Sequence, residues 1–150
     1  MARTILLCTD GSDLALAALR RGLAVLAPAD RLVIAAVVEL TPPIEVVGTG
    51  FAGGVVSPEQ AMREDAAARA AAQRVVAGTR DQLGLDSAEL AVLDGPPGPM
   101  LVELARELEA DAMVIGTRGR GGLRRAVLGS VSDHVVRHAP CPVVVSTEPD

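Results

Sequence analysis

Apolar positions along the chain fall into short continuous runs that alternate with amphipathic stretches. "RTILLCT", Arg3 to Thr9, and "RLVIAAVV", Arg31 to Val38, are apolar over strand length without a break, as expected of parallel strands covered on both faces. Between them Leu16, Leu19, Leu23 and Leu26 recur at steps of three and four behind "DGS", which predicts a turn and then a helix. "AELAVLD", Ala88 to Asp94, "DAMVIGT", Asp111 to Thr117, and "CPVVVS", from Cys141, supply three more strands. A helix with Leu101, Leu104, Ala105 and Leu108 on one face follows "GPPGP", and another is expected from about Ser130 to His138.

The alanine-rich stretch after Ser57 has the marks of a helix start. Ser57 is the expected N-cap, Pro58 takes the first helical position, and Gln60 would complete a capping box; Gly84 stops the helix after Leu83. Before it, residues 39–57 hold two prolines and four glycines and predict an irregular lid or mobile insertion. Strand and helix alternate five times, with no internal repeat and no polar linker. The chain is therefore expected to be one α/β domain over residues 1–150, a five-stranded parallel sheet with helices on both faces.

Composition narrows the chemistry. All 14 basic residues are arginine, so a Walker A lysine and a Schiff-base lysine are both excluded. Phe51 is the only aromatic residue and the pI is near 5.0, which argues against a nucleic-acid partner. The apolar runs fall short of the ~20 residues of a membrane span, and "MARTILLCTDGS" has no secretory pattern, so no membrane association and a cytoplasmic location are expected. Cys8 and Cys141, far apart in apolar settings, read as buried thiols.

Against the net charge of -5, the stretch "GTRGRGGLRRAVLGS", Gly116 to Ser130, is rich in glycine and arginine and has no acid. In an open parallel sheet a ligand binds where neighbouring strands send their connections in opposite directions. With strand order 3-2-1-4-5 the flanking loops are "TDGS" and "GTRGRGG"; with order 2-1-3-4-5 the second loop is "DGPPGP", whose prolines lack donors. The glycine distribution prefers the first. Backbone N–H groups at a helix N-terminus, unobstructed by Cβ atoms, bind phosphate. Gly116 and Gly119 permit close approach and a tight turn, while Gly129 and Ser130 open the last helix, with Ser130 also a credible N-cap. Asp10 stands across the crevice, where a carboxylate meets ribose hydroxyls or a Mg2+ beside phosphate; a local turn bond is its plainer role. Of Arg118, Arg120, Arg124 and Arg125, Arg118 is the expected phosphate contact and the others a solvated rim. His134 and His138 stand four apart without a visible third metal ligand, so no metal site is expected. No catalytic base or nucleophile is identifiable.

Gly116, Gly119, Gly129 and Ser130 fit the pattern G-x2-G-x9-G-[S/T], and with "CTDGS", "ADAMVIGTRG" and "GSVSDHVVRHAPCPVVV" the chain resembles the universal stress protein family in its ATP-binding branch. The resemblance implies a Rossmann-like, adenine nucleotide alpha-hydrolase-like sheet of order 3-2-1-4-5 with ATP across strands one and four. By position it places Thr9 and Asp10 at the ribose or phosphate and the backbone near Val38 at the adenine edge. Gly116, Arg118, Gly119, Gly129, Ser130, Val131 and Ser132 fall at the phosphates, which would bridge any Mg2+. It also implies a homodimer through strand 141–146 and a nucleotide-dependent stress regulator that is at most a slow ATPase. The alternative is a dimeric interaction module that holds no nucleotide. A third reading, an ATP-cleaving alpha-hydrolase enzyme, wants an SGGxDS-type loop where this chain has "CTDGSD".

Overall fold

A computed structural model describes residues 2–40, 57–117 and 128–147. Its elements run β1 (Thr4–Cys8), α1 (Asp13–Val25), β2 (Arg31–Val38), α2 (Pro58–Leu83), β3 (Glu89–Asp94), α3 (Pro97–Glu107), β4 (Ala112–Gly116), α4 (Ser130–His138) and β5 (Val143–Ser146). All four pairings are parallel and the sheet order is β3-β2-β1-β4-β5. Of the two topologies open at the sequence level, this is the one that sends the β1 and β4 connections to opposite faces.

The period-two alternation of the strands divides the core into two layers. Ile5, Leu7, Ile34, Ala36 and Val114 face one way, packed with Leu19 and Val76 from α1 and α2. Leu6, Cys8, Val33, Ala35, Met113 and Ile115 face the other, against Leu101, Val102 and Ala105 of α3 and Val135 of α4. All five residues of β1 are buried, which is why that strand reads as a continuous apolar run. The buried stripe of α1 is Ala15, Ala18, Leu19 and Gly22, so its small residues, more than its leucines, face the sheet. A Cβ on Gly22 would lie 2.2 Å from Val114 Cγ1; glycine lets the helix backbone sit directly on β4.

Several boundaries follow from local hydrogen bonding. Ser57 caps α2 by accepting from Gln60 N at 3.2 Å, and Gly84 closes it in the left-handed region, φ 65°, with Leu85 N donating to Arg80 O. The capping box does not form, because the Gln60 amide turns forward to Glu64 Oε1 at 3.2 Å instead of back to the cap. The last strand begins at Val143, not Cys141: Pro142 has no N–H to give and joins only through its carbonyl, which accepts from Met113 N at 3.0 Å. The lid expected at residues 39–57 lies almost wholly outside the described residues.

Candidate functional site

The first rim of the crevice is the turn after β1. Thr9 N still donates to Ala35 O at 3.0 Å, and then Gly11, at φ 81°, reverses the chain into α1. A carboxylate two residues before an N-cap can organise such a turn. Asp10 Oδ1 accepts from Ser12 N at 2.9 Å and from Ser12 Oγ at 2.6 Å, and Ser12 Oγ in turn accepts from Ala15 N at 3.1 Å, capping α1. The plainer reading of Asp10 therefore holds for one oxygen. The other, Oδ2, is buried with no hydrogen-bond partner among the described residues. Thr9 faces the opposite layer, where its Oγ1 accepts from Gly11 N at 3.1 Å and lies 3.5 Å from Thr79 Oγ1.

The second rim joins the end of β4 to the start of α4. Thr117 N donates to Ser146 O, and Gly129 N donates to Thr117 O at 2.7 Å, so the chain returns beside the point at which it left. Ser132, 3% exposed, donates its hydroxyl to both Thr117 O and Gly129 O, at 3.1 and 3.0 Å. That hydroxyl thus has a structural partner, a role sequence reasoning did not assign. Gly129 is the N-cap and has no side chain to offer; Ser130 is the first helical residue, not the cap. Asp133 N is the first amide to bond within the helix, to Gly129 O, which leaves the N–H groups of Ser130, Val131 and Ser132 without helical acceptors. Arg118 and Gly119, expected at the phosphates, lie outside the described residues, as does Phe51 with its neighbouring glycines.

Val38 sits where β2 ends, but its carbonyl accepts from Gly95 N at 2.9 Å, on the β3 side. Main-chain groups along a strand point alternately to its two neighbours, and Ala35 O points to β1. Val37 therefore directs its N–H and C=O to the side where β1 has already ended.

Between the starts of α3 and α4 lies a cavity of about 190 Å³, lined by Glu39, Pro96, Pro97, Gly98, Pro99, Ser130, Val131 and His134. Sequence reasoning missed Glu39, Gly98 and His134; the signal available was the "GPPGP" turn, which brings a glycine to the helix start. A larger cavity, about 530 Å³, opens at the opposite end of the sheet beside Ala2, Thr4 and Asp111, remote from these rims. The two imidazoles of α4 stack, centroids 4.2 Å apart, and His138 Nδ1 lies 2.9 Å from His134 O. No group of three potential metal ligands occurs among the described residues. Burial, with a smaller contribution from the charge of Cys141, pushes the Cys8 thiol up to about 12, so it stays protonated.

Beyond the crevice, with its uncapped helix start on one rim and its carboxylate on the other, residues 1–146 match the model of the universal stress protein family. The chain belongs to the universal stress protein family. Universal stress protein MJ0531 of Methanocaldococcus jannaschii is 32% identical over 148 residues, 98% of this chain and 83% of that protein. Among solved structures, protein MJ0577 superposes with a TM-score of 0.78 at 20% identity, covering 100% of this chain and 99% of its own, and shares the fold. A universal stress protein solved in complex with cAMP superposes with a TM-score of 0.62 at 29% identity, over 97% of each chain. No helix among the described residues of this universal stress protein is long and apolar enough to cross a membrane.

Proposed function

We propose that this universal stress protein binds an adenine nucleotide, ATP with Mg2+ bridged by its phosphates, across the ends of β1 and β4. The observation that carries this reading is Asp10 Oδ2. A buried acceptor without a partner costs roughly 1–3 kcal/mol, and this one stands at the crevice, where a ribose hydroxyl would satisfy it. On the facing rim the free amides of Ser130, Val131 and Ser132 and the positive end of α4 suit phosphate. Gly116, Arg118, Gly119 and Gly129 complete the cradle in this reading, and Val37, more than Val38, offers the adenine edge a donor and an acceptor. The related protein with bound cAMP supports an adenine nucleotide as the ligand class.

The function that follows is nucleotide-dependent regulation in the cytoplasm, with slow or no hydrolysis, since none of the described residues at the crevice is placed as a general base. Mg2+, when bound, would offset phosphate charge; the chain's own part is to hold the ribose, the phosphates and the base edge. A homodimer through β5 accompanies this reading: β5 is a sheet-edge strand of half-buried valines, and an open edge accepts a second copy.

Calorimetric titration of nucleotide-stripped protein with ATP and Mg2+ tests the reading. Native protein should bind in the micromolar range, with affinity reduced at least about tenfold in Asp10→Ala and in Gly119→Val, each checked for a native circular dichroism spectrum. Folded, stripped protein that takes up no ATP would leave the nucleotide-free interaction module as the working function.

A further inference from the structure

We propose that His134 is a proton-linked ligand contact of the crevice, an imidazolium that meets the anionic group held at the start of α4. This inference rests on the nucleotide reading above and extends it to a residue outside the glycine motif. His134 follows Ser130 by four residues, one turn along the same face of α4, and the two side chains line one cavity. Gly98 makes that placement possible. A Cβ there would lie 2.8 Å from His134 Cβ and Cγ, so only glycine lets the first turn of α3 pack against the imidazole. His134's ring nitrogens make no hydrogen bond among the described residues, whereas the neighbouring His138 ring is engaged with its own helix through Nδ1.

Glu39 lines the same cavity, the His138 ring stacks on His134, and the starts of α3 and α4 flank it. Asp133 and Arg137 pair with each other at 2.9 Å, and on α3 Glu103 pairs with Arg106, whose Nη2 also lies 3.5 Å from His138 O. The first turn of α3, Pro97 to Pro99, carries no side-chain charge. A phosphate at Ser130 and Val131 adds negative charge beside the imidazole, so the bound state holds the proton more strongly than the free state. Affinity then rises as pH falls through the range in which imidazole changes charge, about pH 8 to 5.

The test follows the His134 imidazole by NMR titration of the full chain, free and saturated with ATP and Mg2+. Alongside it, ATP affinity is measured from pH 8 to 5.5 for native protein, His134→Asn and His134→Lys. Titration of the ATP phosphates is common to the three proteins and cancels in the comparison. Expected are a midpoint raised by about one pH unit on binding and a native affinity gain about tenfold larger than that of His134→Asn. His134→Lys, with a permanent cation, should bind more tightly than native at pH 8 and lack the extra pH dependence, which a merely structural role for His134 would not produce. ATP binding with an unmoved His134 midpoint and equal slopes in native and His134→Asn overturns this inference and leaves the nucleotide reading standing. No ATP binding at any pH overturns both.

Discussion

Asp10 and Ser12 are joined twice through a single carboxylate oxygen, by the Ser12 amide and by the Ser12 hydroxyl, while the second oxygen of Asp10 is buried and has no partner among the described residues. The turn thus holds its carboxylate in place with one atom and leaves the other for the ligand of the proposed reading. Ser12→Ala removes the helix cap and one of the two bonds to Asp10. It should lower unfolding free energy by about 1 kcal/mol in urea titrations and weaken ATP binding severalfold, because Asp10 is then less firmly oriented. An unchanged affinity would mean that the Ser12 amide alone suffices to aim the carboxylate.

The contact between Gly22 and Val114 predicts a size-compensated pair. Gly22→Ala drives a methyl group to within 2.2 Å of Val114 Cγ1 and should destabilise the fold by about 1–3 kcal/mol. In Gly22→Ala/Val114→Ala the clash is relieved, so the double variant should be more stable than the sum of the single changes predicts. Denaturant titrations arranged as a double-mutant cycle measure the coupling; strict additivity would place the cost elsewhere than in this contact.

Dimerisation through β5 has a backbone test. Pro142 and Ser146 direct their carbonyls to β4, so the alternation turns the main-chain groups of Val143 and Val145 to the open edge. Val145→Pro removes an outward N–H and leaves the β4 ladder intact; sedimentation should shift from dimer to monomer with the circular dichroism spectrum retained. A charge at Val144 tests the interface less cleanly, because that side chain packs into the layer beneath α1. A dimer that survives Val145→Pro uses another surface.

The two thiols should differ in reactivity. With Cys8 pushed up to about 12 by burial, native protein at pH 8 should expose at most Cys141 to a thiol reagent, and Cys8 only on unfolding. No disulfide should join them in oxidised native protein. Cys8 closes β1 at the carboxyl end of the sheet, whereas Cys141 precedes β5 at the amino end. The linkage has a definite sign: the native state keeps the Cys8 proton where the unfolded chain, with its thiol near 9, gives it up. Its contribution to stability is therefore present at neutral pH and is lost as pH rises from about 9 to 12.

Most element positions were legible because continuous apolar runs, glycine stops and N-cap serines are local signals, and the glycines after the fourth strand favoured the observed sheet order. Ser57 and Gly84 act where their types suggested. What stayed hidden depends on contacts between distant segments. The orientation of the Val38 carbonyl is settled by Gly95, and the packing of His134 by Gly98 on another helix. The second bond of Ser132 reaches back to Thr117, and no spacing rule reports it. Ser130 opens α4 as expected, but the cap itself is Gly129, which suits that position as well, and Gln60 has a competing partner in Glu64.

The bond from Gly129 N to Thr117 O, reinforced by the Ser132 hydroxyl, brings the two ends of the intervening segment together at a fixed gate in the scaffold. Lengthening a segment whose ends are already held costs little, since closure entropy grows only slowly with length. The register of β4 against α4 is therefore set by Thr117, Gly129 and Ser132 themselves, and the sheet and the last helix should keep it when the length of chain joining these points changes.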